Sequence, residues 1–296
     1  MMYILKKYFP VIILIILTGC GISPRLTELR EGAETAIENE DYTAALNYYE
    51  ELIGLQQSRN REINGETWYH AGISAWETGE TNKAIEYLVQ AGRKEYTTES
   101  SLFILSNAYR EIDNLSLEIS SLENYTDNHP NGEHIGEMRK YLFEAYIESR
   151  NYDAAMDLWT DLEKQAEDDP EIMESYLVLM KNQDREEDAR KISEKLLQMD
   201  SNNALALEYL GEHYFWKAEN RYQEEMKAYE ANRTTRQYRQ LLTALDEINI
   251  EFRLSRDYFL RLWNQNPESR YATYLRNIHL RFGDDERAGY YQKRIK

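Results

Sequence analysis

From residue 26 to the C-terminus, apolar positions return every three or four residues in short runs separated by polar breaks. This spacing predicts amphipathic helices throughout and no strand. The helices come in pairs. The clearest pair spans Glu66 to Ala91: Trp68, Ala71, Gly72 and Ala75 mark one helix, Gly79 interrupts it, and Ala84, Leu88 and Ala91 mark the next. Small residues at Gly72 and Ala84 let the two helices approach closely, while Trp68 and Leu88 fill the space around that contact. Such a pair cannot bury both apolar faces alone, so it requires similar pairs on either side.

Further pairs occupy the rest of the chain. A first has Gly32, Ala33 and Ala36, then Asp41-Tyr42 at the turn, then Ala45, Tyr49 and Leu52. A third carries Leu102, Leu105, Ser106 and Tyr109 before Leu115, Leu122 and Tyr125; a fourth carries Leu142, Phe143 and Tyr146 before Ala155, Trp159 and Leu162. A fifth runs through Met173, Tyr176, Leu177 and Met180 to Ala189, Leu196 and Leu197. Gly72 to Ser106, Ala155 to Ala189 and Leu177 to Gly211 are each 34 residues apart. A 34-residue interval with helix–turn–helix content resembles the tetratricopeptide repeat, and the resemblance covers nearly all of the chain beyond residue 26. It implies an all-α fold, a TPR-like α-solenoid in which antiparallel helix pairs build a right-handed superhelix. An irregular helical bundle is the alternative. The third copy departs from the pattern, with Glu118 standing where the repeat places a small residue.

The sixth copy departs further. After Leu207, Leu210-Gly211 and Tyr214 its first helix runs on through Ala218, Tyr222, Met226 and Tyr229 until Asn232-Arg233-Thr234-Thr235 breaks it, with Thr234 or Thr235 as cap. The returning helix places Tyr238, Leu241, Leu245, Ile248, Phe252, Ser255, Phe259 and Leu262 at alternating steps of three and four, a coiled-coil seam. One repeat is thus lengthened into a helical hairpin, with arms of roughly 28 residues and about 42 Å. It either projects from the solenoid or folds back over the last repeat. The resulting divisions are repeats 1–5 over residues 26–203, the extended sixth over 204–267 and a C-terminal repeat over 268–296.

The first residues follow a different pattern. Lys6 and Lys7 precede an apolar run from Val11 to Leu17 that is too short to span a bilayer, closed by Leu17-Thr18-Gly19-Cys20. The combination resembles the lipobox of bacterial lipoproteins. It implies a signal peptide over residues 1–19, a lipidated (palmitate-bearing) Cys20 as the new N-terminus and a short linker over 20–25; an uncleaved anchor is the alternative. Gly21, in place of Asp, implies the outer membrane, with the periplasmic or surface face open. Cys20 is the single cysteine, so the chain offers neither a disulfide nor a spare thiol nucleophile.

The formal charge of −18 is uneven: residues 20–216 hold 17 Lys/Arg against 41 Asp/Glu, a net of −24, whereas residues 217–296 are at +4. The acidic part repels nucleic acid, which is excluded as a partner. A basic hairpin tip (Lys227, Arg233, Arg236, Arg239) offers a dock for an acidic partner, phosphate groups or the acidic half of another copy. The repeat's first helices line its concave face, so the resemblance places Tyr69, Trp76, Phe103, Asn107, Arg110, Lys140 and Glu144 in a partner-binding groove, with inter-repeat packing as the other role for the aromatics. Asn107 with Arg110, and Asn277 with Arg281, are fragments of the family's carboxylate clamp and do not support recognition of a C-terminal carboxylate. His129, Glu133 and His134 share the HPNGEH loop, an ordinary solvated loop rather than a metal site. No glycine-rich phosphate loop, serine elbow or distinct carboxylate pair is present, so no enzyme, no metal and no small-molecule cofactor is expected. The expected role is a lipid-anchored scaffold for an unidentified protein or peptide partner in the bacterial envelope, with glycan or nutrient capture at the outer membrane as the alternative.

Overall fold

The structure, a computed structural model, describes residues 24–295. The expected signal peptide, the lipidated Cys20 and the linker as far as residue 23 lie outside the described residues. Among those described, all regular structure is α-helix, arranged in two compact units that divide between Asn114 and Leu115.

The first unit contains α1 (Pro24–Glu38), α2 (Tyr42–Ser58), α3 (Gly65–Glu77), α4 (Thr81–Arg93) and α5 (Glu99–Glu111). Each helix packs on its sequence neighbours, and α3 also touches α5, the contact scheme of stacked helix pairs. Leu29, Ala33, Tyr49, Leu52, Trp68 and Ala71 form one continuous core from α1 to α3. Helices α3 and α4 approach closely at Gly72, where a Cβ would sit 2.6 Å from Leu88 Cγ.

The second unit contains α6 (Leu115–Asn128), α7 (Ile135–Glu148), α8 (Tyr152–Ala166), α9 (Pro170–Asn182), α10 (Glu186–Met199), α11 (Ala204–Ala231), α12 (Thr235–Gln265), α13 (Ser269–Arg281) and α14 (Asp285–Gln292). Neighbouring pairs are keyed together by rings: Trp159 on α8 stacks on Tyr176 of α9 at 3.6 Å, and Phe259 on α12 stacks on Tyr274 of α13 at 4.3 Å. Ala155, Ala189 and Ala288 lie buried early in α8, α10 and α14, as Ala45 and Ala84 do in α2 and α4. On α6 that place belongs to Glu118, buried to 6% exposure.

How the first helix of each pair ends explains the hairpin. Glu40, Gly79, Asp113, Arg150, Asp184 and Gly283 all adopt left-handed backbone just past α1, α3, α5, α7, α9 and α13. In each case the next N–H bonds back five residues, as from Glu80 to the Ala75 carbonyl and from Arg185 to the Met180 carbonyl. That arrangement satisfies the orphaned carbonyls and reverses the chain. In α11 no such residue occurs: Ala218, 34 residues after Asp184, remains helical and buried, and the helix runs 28 residues to Ala231. Thr234 then caps α12, its hydroxyl accepting from the Gln237 N–H, and α12 returns for 31 residues.

The hairpin base is packed against α13. Phe215 meets Tyr274 edge-on at 5.0 Å, Ser255 Oγ donates to the Gly211 carbonyl at 2.7 Å, and the Arg281 guanidinium bridges Glu219 at 2.5 Å while lying over the Tyr222 ring. Both sequence alternatives therefore hold in part, since the base buttresses the last pair. Towards the tip the arms meet each other, between Arg221 and Glu247 and between the Tyr229 and Tyr238 rings.

Candidate functional site

The sequence-derived groove residues are on the helices expected, in two sets. On α3 and α5 of the first unit, Tyr69 and Trp76 are half-buried. Tyr69 lies against the Tyr96 ring at 5.2 Å, and Trp76 packs on the cluster of Leu46, Ala75 and Ala84. Both rings are therefore engaged in packing within the first unit. Phe103 and Asn107 are likewise half-buried, and the Asn107 amide donates to the Phe103 carbonyl one turn back. Arg110 follows on the same helix. On α7 of the second unit, Lys140 is pinned by Asp169 and Glu171 from the start of α9, which raises its pKa against the opposing effect of burial. Glu144 sits one turn further along α7.

The clamp fragments are engaged within the chain. Arg281 is committed to Glu219, whose pKa is lowered because the bonds from Arg281 and Gln223 outweigh the effect of burial. Asn277 Oδ1 accepts from Arg276 at 3.0 Å. In the HPNGEH loop the His129 ring sits 5.6 Å from Tyr125, and the His134 backbone N–H donates to the Tyr125 hydroxyl at 3.2 Å. Among the described residues no group of three His, Cys, Asp or Glu could hold a metal ion.

The hairpin carries the most accessible chemistry. Lys227, Arg233, Arg236 and Arg239 are exposed around the turn between α11 and α12. Ten large hydrophobic side chains of the described residues are exposed, and Trp216, Tyr238, Leu242, Ile250 and Leu254 place half of them on these two helices. Such a concentration marks this element rather than general surface scatter.

Sequence reasoning did not find a concavity beside α11. Because α11 runs past the turn between α9 and α10, its flank and that turn enclose an elbow of about 900 Å³. Tyr209, His213, Trp216 and Asn220, at successive steps of four, three and four, line its α11 side; Lys181, Asp184, Arg185 and Glu186 line the turn side. The Tyr209 and His213 rings stack at 6.1 Å, and the Tyr209 hydroxyl donates to the Glu186 carbonyl, tying helix to turn. Burial lowers the His213 pKa, so its ring is neutral at pH 7. Burial also pushes Tyr209 up to about 12. Trp216 is 52% exposed at the mouth. The spacing of these rings reads as a core stripe in sequence; only the missing turn at Ala218 signals that they face a gap.

Paired helices with a buried alanine early in most second helices and a left-handed turn after most first helices define the class: an all-α, tetratricopeptide-type solenoid fold. Solved structures agree. The chain is similar to a Bacteroides ovatus ATCC 8483 protein provisionally described as protein-binding, at 20% identity and a TM-score of 0.53, over 75% of this chain and 99% of that one. It is also similar to YrrB, described as a TPR protein with an unusual peptide-binding site, at 15% identity and a TM-score of 0.50, over 62% and 96%. No family model matches the chain, and no curated protein matches it.

Proposed function

We propose that the chain is a non-enzymatic, lipid-anchored scaffold that recruits a protein or peptide partner at the bacterial outer membrane. The observation that carries the reading is the hairpin, an over-long helix pair with a basic tip and half of the exposed large hydrophobics. A fold of this class offers long helix faces on which side chains of a partner can be read. The two similar structures, described as protein-binding and peptide-binding, support the same class of role. Tyr69, Trp76, Phe103, Asn107 and Arg110 on the first unit, and Lys140 and Glu144 on the second, are secondary contact candidates.

The anchor rests on the sequence of residues 1–20, ending in Leu-Thr-Gly-Cys, with the lipid on Cys20. Among the described residues no helix is long and apolar enough to cross a membrane. Lipid fixes the position, and local concentration at the surface favours encounter with the partner. Two experiments test this. Radiolabelled palmitate should enter the wild-type chain and not Cys20→Ala; label in both removes the anchor. Reversal of Lys227, Arg233, Arg236 and Arg239 to Glu should abolish recovery of the crosslinked partner from membranes, and undiminished recovery removes the tip from the interface.

A further inference from the structure

The elbow between α11 and the α9–α10 turn has a charge arrangement that selects its occupant. Each cation in it is already committed within the chain. Arg185 bridges Asp188 at 2.7 Å, Arg190 bridges Glu187 and Glu194, Lys217 bridges Glu251 at 2.8 Å, and Lys181 faces Glu212 at 3.8 Å. Asp184 and Glu186 are exposed on the turn and face no such cation. Counted with their partners, Lys191 beside Glu187 included, the lining groups are seven carboxylates against five cations. The neutral His213 adds no positive charge at pH 7. Beside these carboxylates stand the rings of Tyr209 and Trp216, whose electron-rich faces attract cations.

We propose that the elbow is a binding site for an extended, arginine-rich peptide segment, one guanidinium stacking on Trp216 and its neighbours pairing with Asp184 and Glu186. Arginine suits both demands, since its planar fork stacks on rings and pairs with carboxylates in two-pronged fashion. The elbow is open along one side and about 900 Å³ in extent, room for several residues of extended chain. The proposal rests on the scaffold reading above and names the chemistry of one of its partners.

The test is fluorescence anisotropy on the full chain in detergent, with a labelled eight-residue peptide of alternating Arg and Ser and its Glu-for-Arg counterpart. The Arg peptide should bind at least about tenfold more tightly than the Glu peptide and weaken about tenfold between 50 and 300 mM salt. Trp216→Ala should lose roughly fivefold or more, Trp216→Phe less than about threefold, and Glu186→Gln with Asp184→Asn together about tenfold. All three sites are exposed, so the fold should tolerate the changes; far-UV circular dichroism checks this. Non-specific attraction to a chain of charge −18 would survive Trp216→Ala, and that outcome overturns the site. Equal binding of the Glu peptide, or displacement of the Arg peptide by maltotetraose, also overturns it. If the Arg peptide fails while photocrosslinking at Arg236 still traps a protein, only the elbow assignment falls; if crosslinking traps none, the scaffold reading falls with it.

Discussion

Gly72→Ala sets two effects against each other where α3 crosses α4. In an exposed helix the change would stabilise by about 1 kcal/mol through helix propensity. Here the new Cβ would lie 2.6 Å from Leu88 Cγ, 2.7 Å from its Cδ2 and 3.2 Å from its backbone nitrogen. Ordinary contact is about 3.5–4 Å, so α3 and α4 must separate by nearly 1 Å or Leu88 must rotate. Leu88 is 1% exposed and has nowhere open to turn. Overpacking of this kind costs about 1–3 kcal/mol, so the net effect is a loss of up to about 2 kcal/mol. Leu88→Ala alone costs about 2–5 kcal/mol through its cavity. In the double variant the added methyl has room, so Gly72→Ala in the Leu88→Ala background should be neutral or stabilising. Hydrogen exchange is the informative assay, because repeat folds open locally. Amides of α3 and α4 should exchange faster in Gly72→Ala, by up to roughly thirtyfold, with α13 unchanged. Slower exchange in α3 and α4, or additive losses in the double variant, would refute the close-packing argument.

Arg150 adopts φ +61° at the turn after α7, where a non-glycine residue is strained. Arg150→Gly should therefore stabilise by about 0.5–1 kcal/mol in urea unfolding despite the added freedom of the unfolded chain. Ser255→Ala removes the buried bond to the Gly211 carbonyl at the hairpin base and should cost about 1–2 kcal/mol, read as a lower melting temperature. Burial pushes Tyr49 and Tyr274 up to about 12, so the folded chain disfavours their ionisation. Their stabilising contribution is full below pH 10, falls as the unfolded chain ionises, and is gone above about 12; a spectral titration at 295 nm should show the late ionisation. Burial lowers His70, His213 and His279, so their contribution is present above about pH 6.5 and is lost on acidification; nuclear magnetic resonance titration should find all three below free histidine.

Legibility in the sequence followed the source of each feature. Helix pairs are written in local periodicity, and the seam Leu241, Ile248, Phe252, Ser255, Phe259 and Leu262 is buried as the spacing predicts. At its tip end the seam drifts: Ala244 is buried and Leu245 only partly, while Tyr238 is 47% exposed although its ring meets Tyr229. A helix needs a tight apolar row only where something covers it, and there the partner arm alone does so. Of the candidate contacts, Tyr69 and Trp76 were legible as aromatics on a first helix, but their packing on Tyr96 and Leu46 depends on distant turns that no local pattern encodes. The elbow was illegible for a related reason. Its two walls are brought together because α11 continues past the position at which the other first helices turn.

The scaffold account is tested most directly by a photoreactive amino acid placed in living cells at Arg236 on the hairpin tip and, separately, at Trp76 on α3. It predicts a discrete protein adduct from Arg236, lost when Lys227, Arg233 and Arg239 are reversed to Glu. Illumination that yields only lipid adducts, or no adduct from either position, would contradict it.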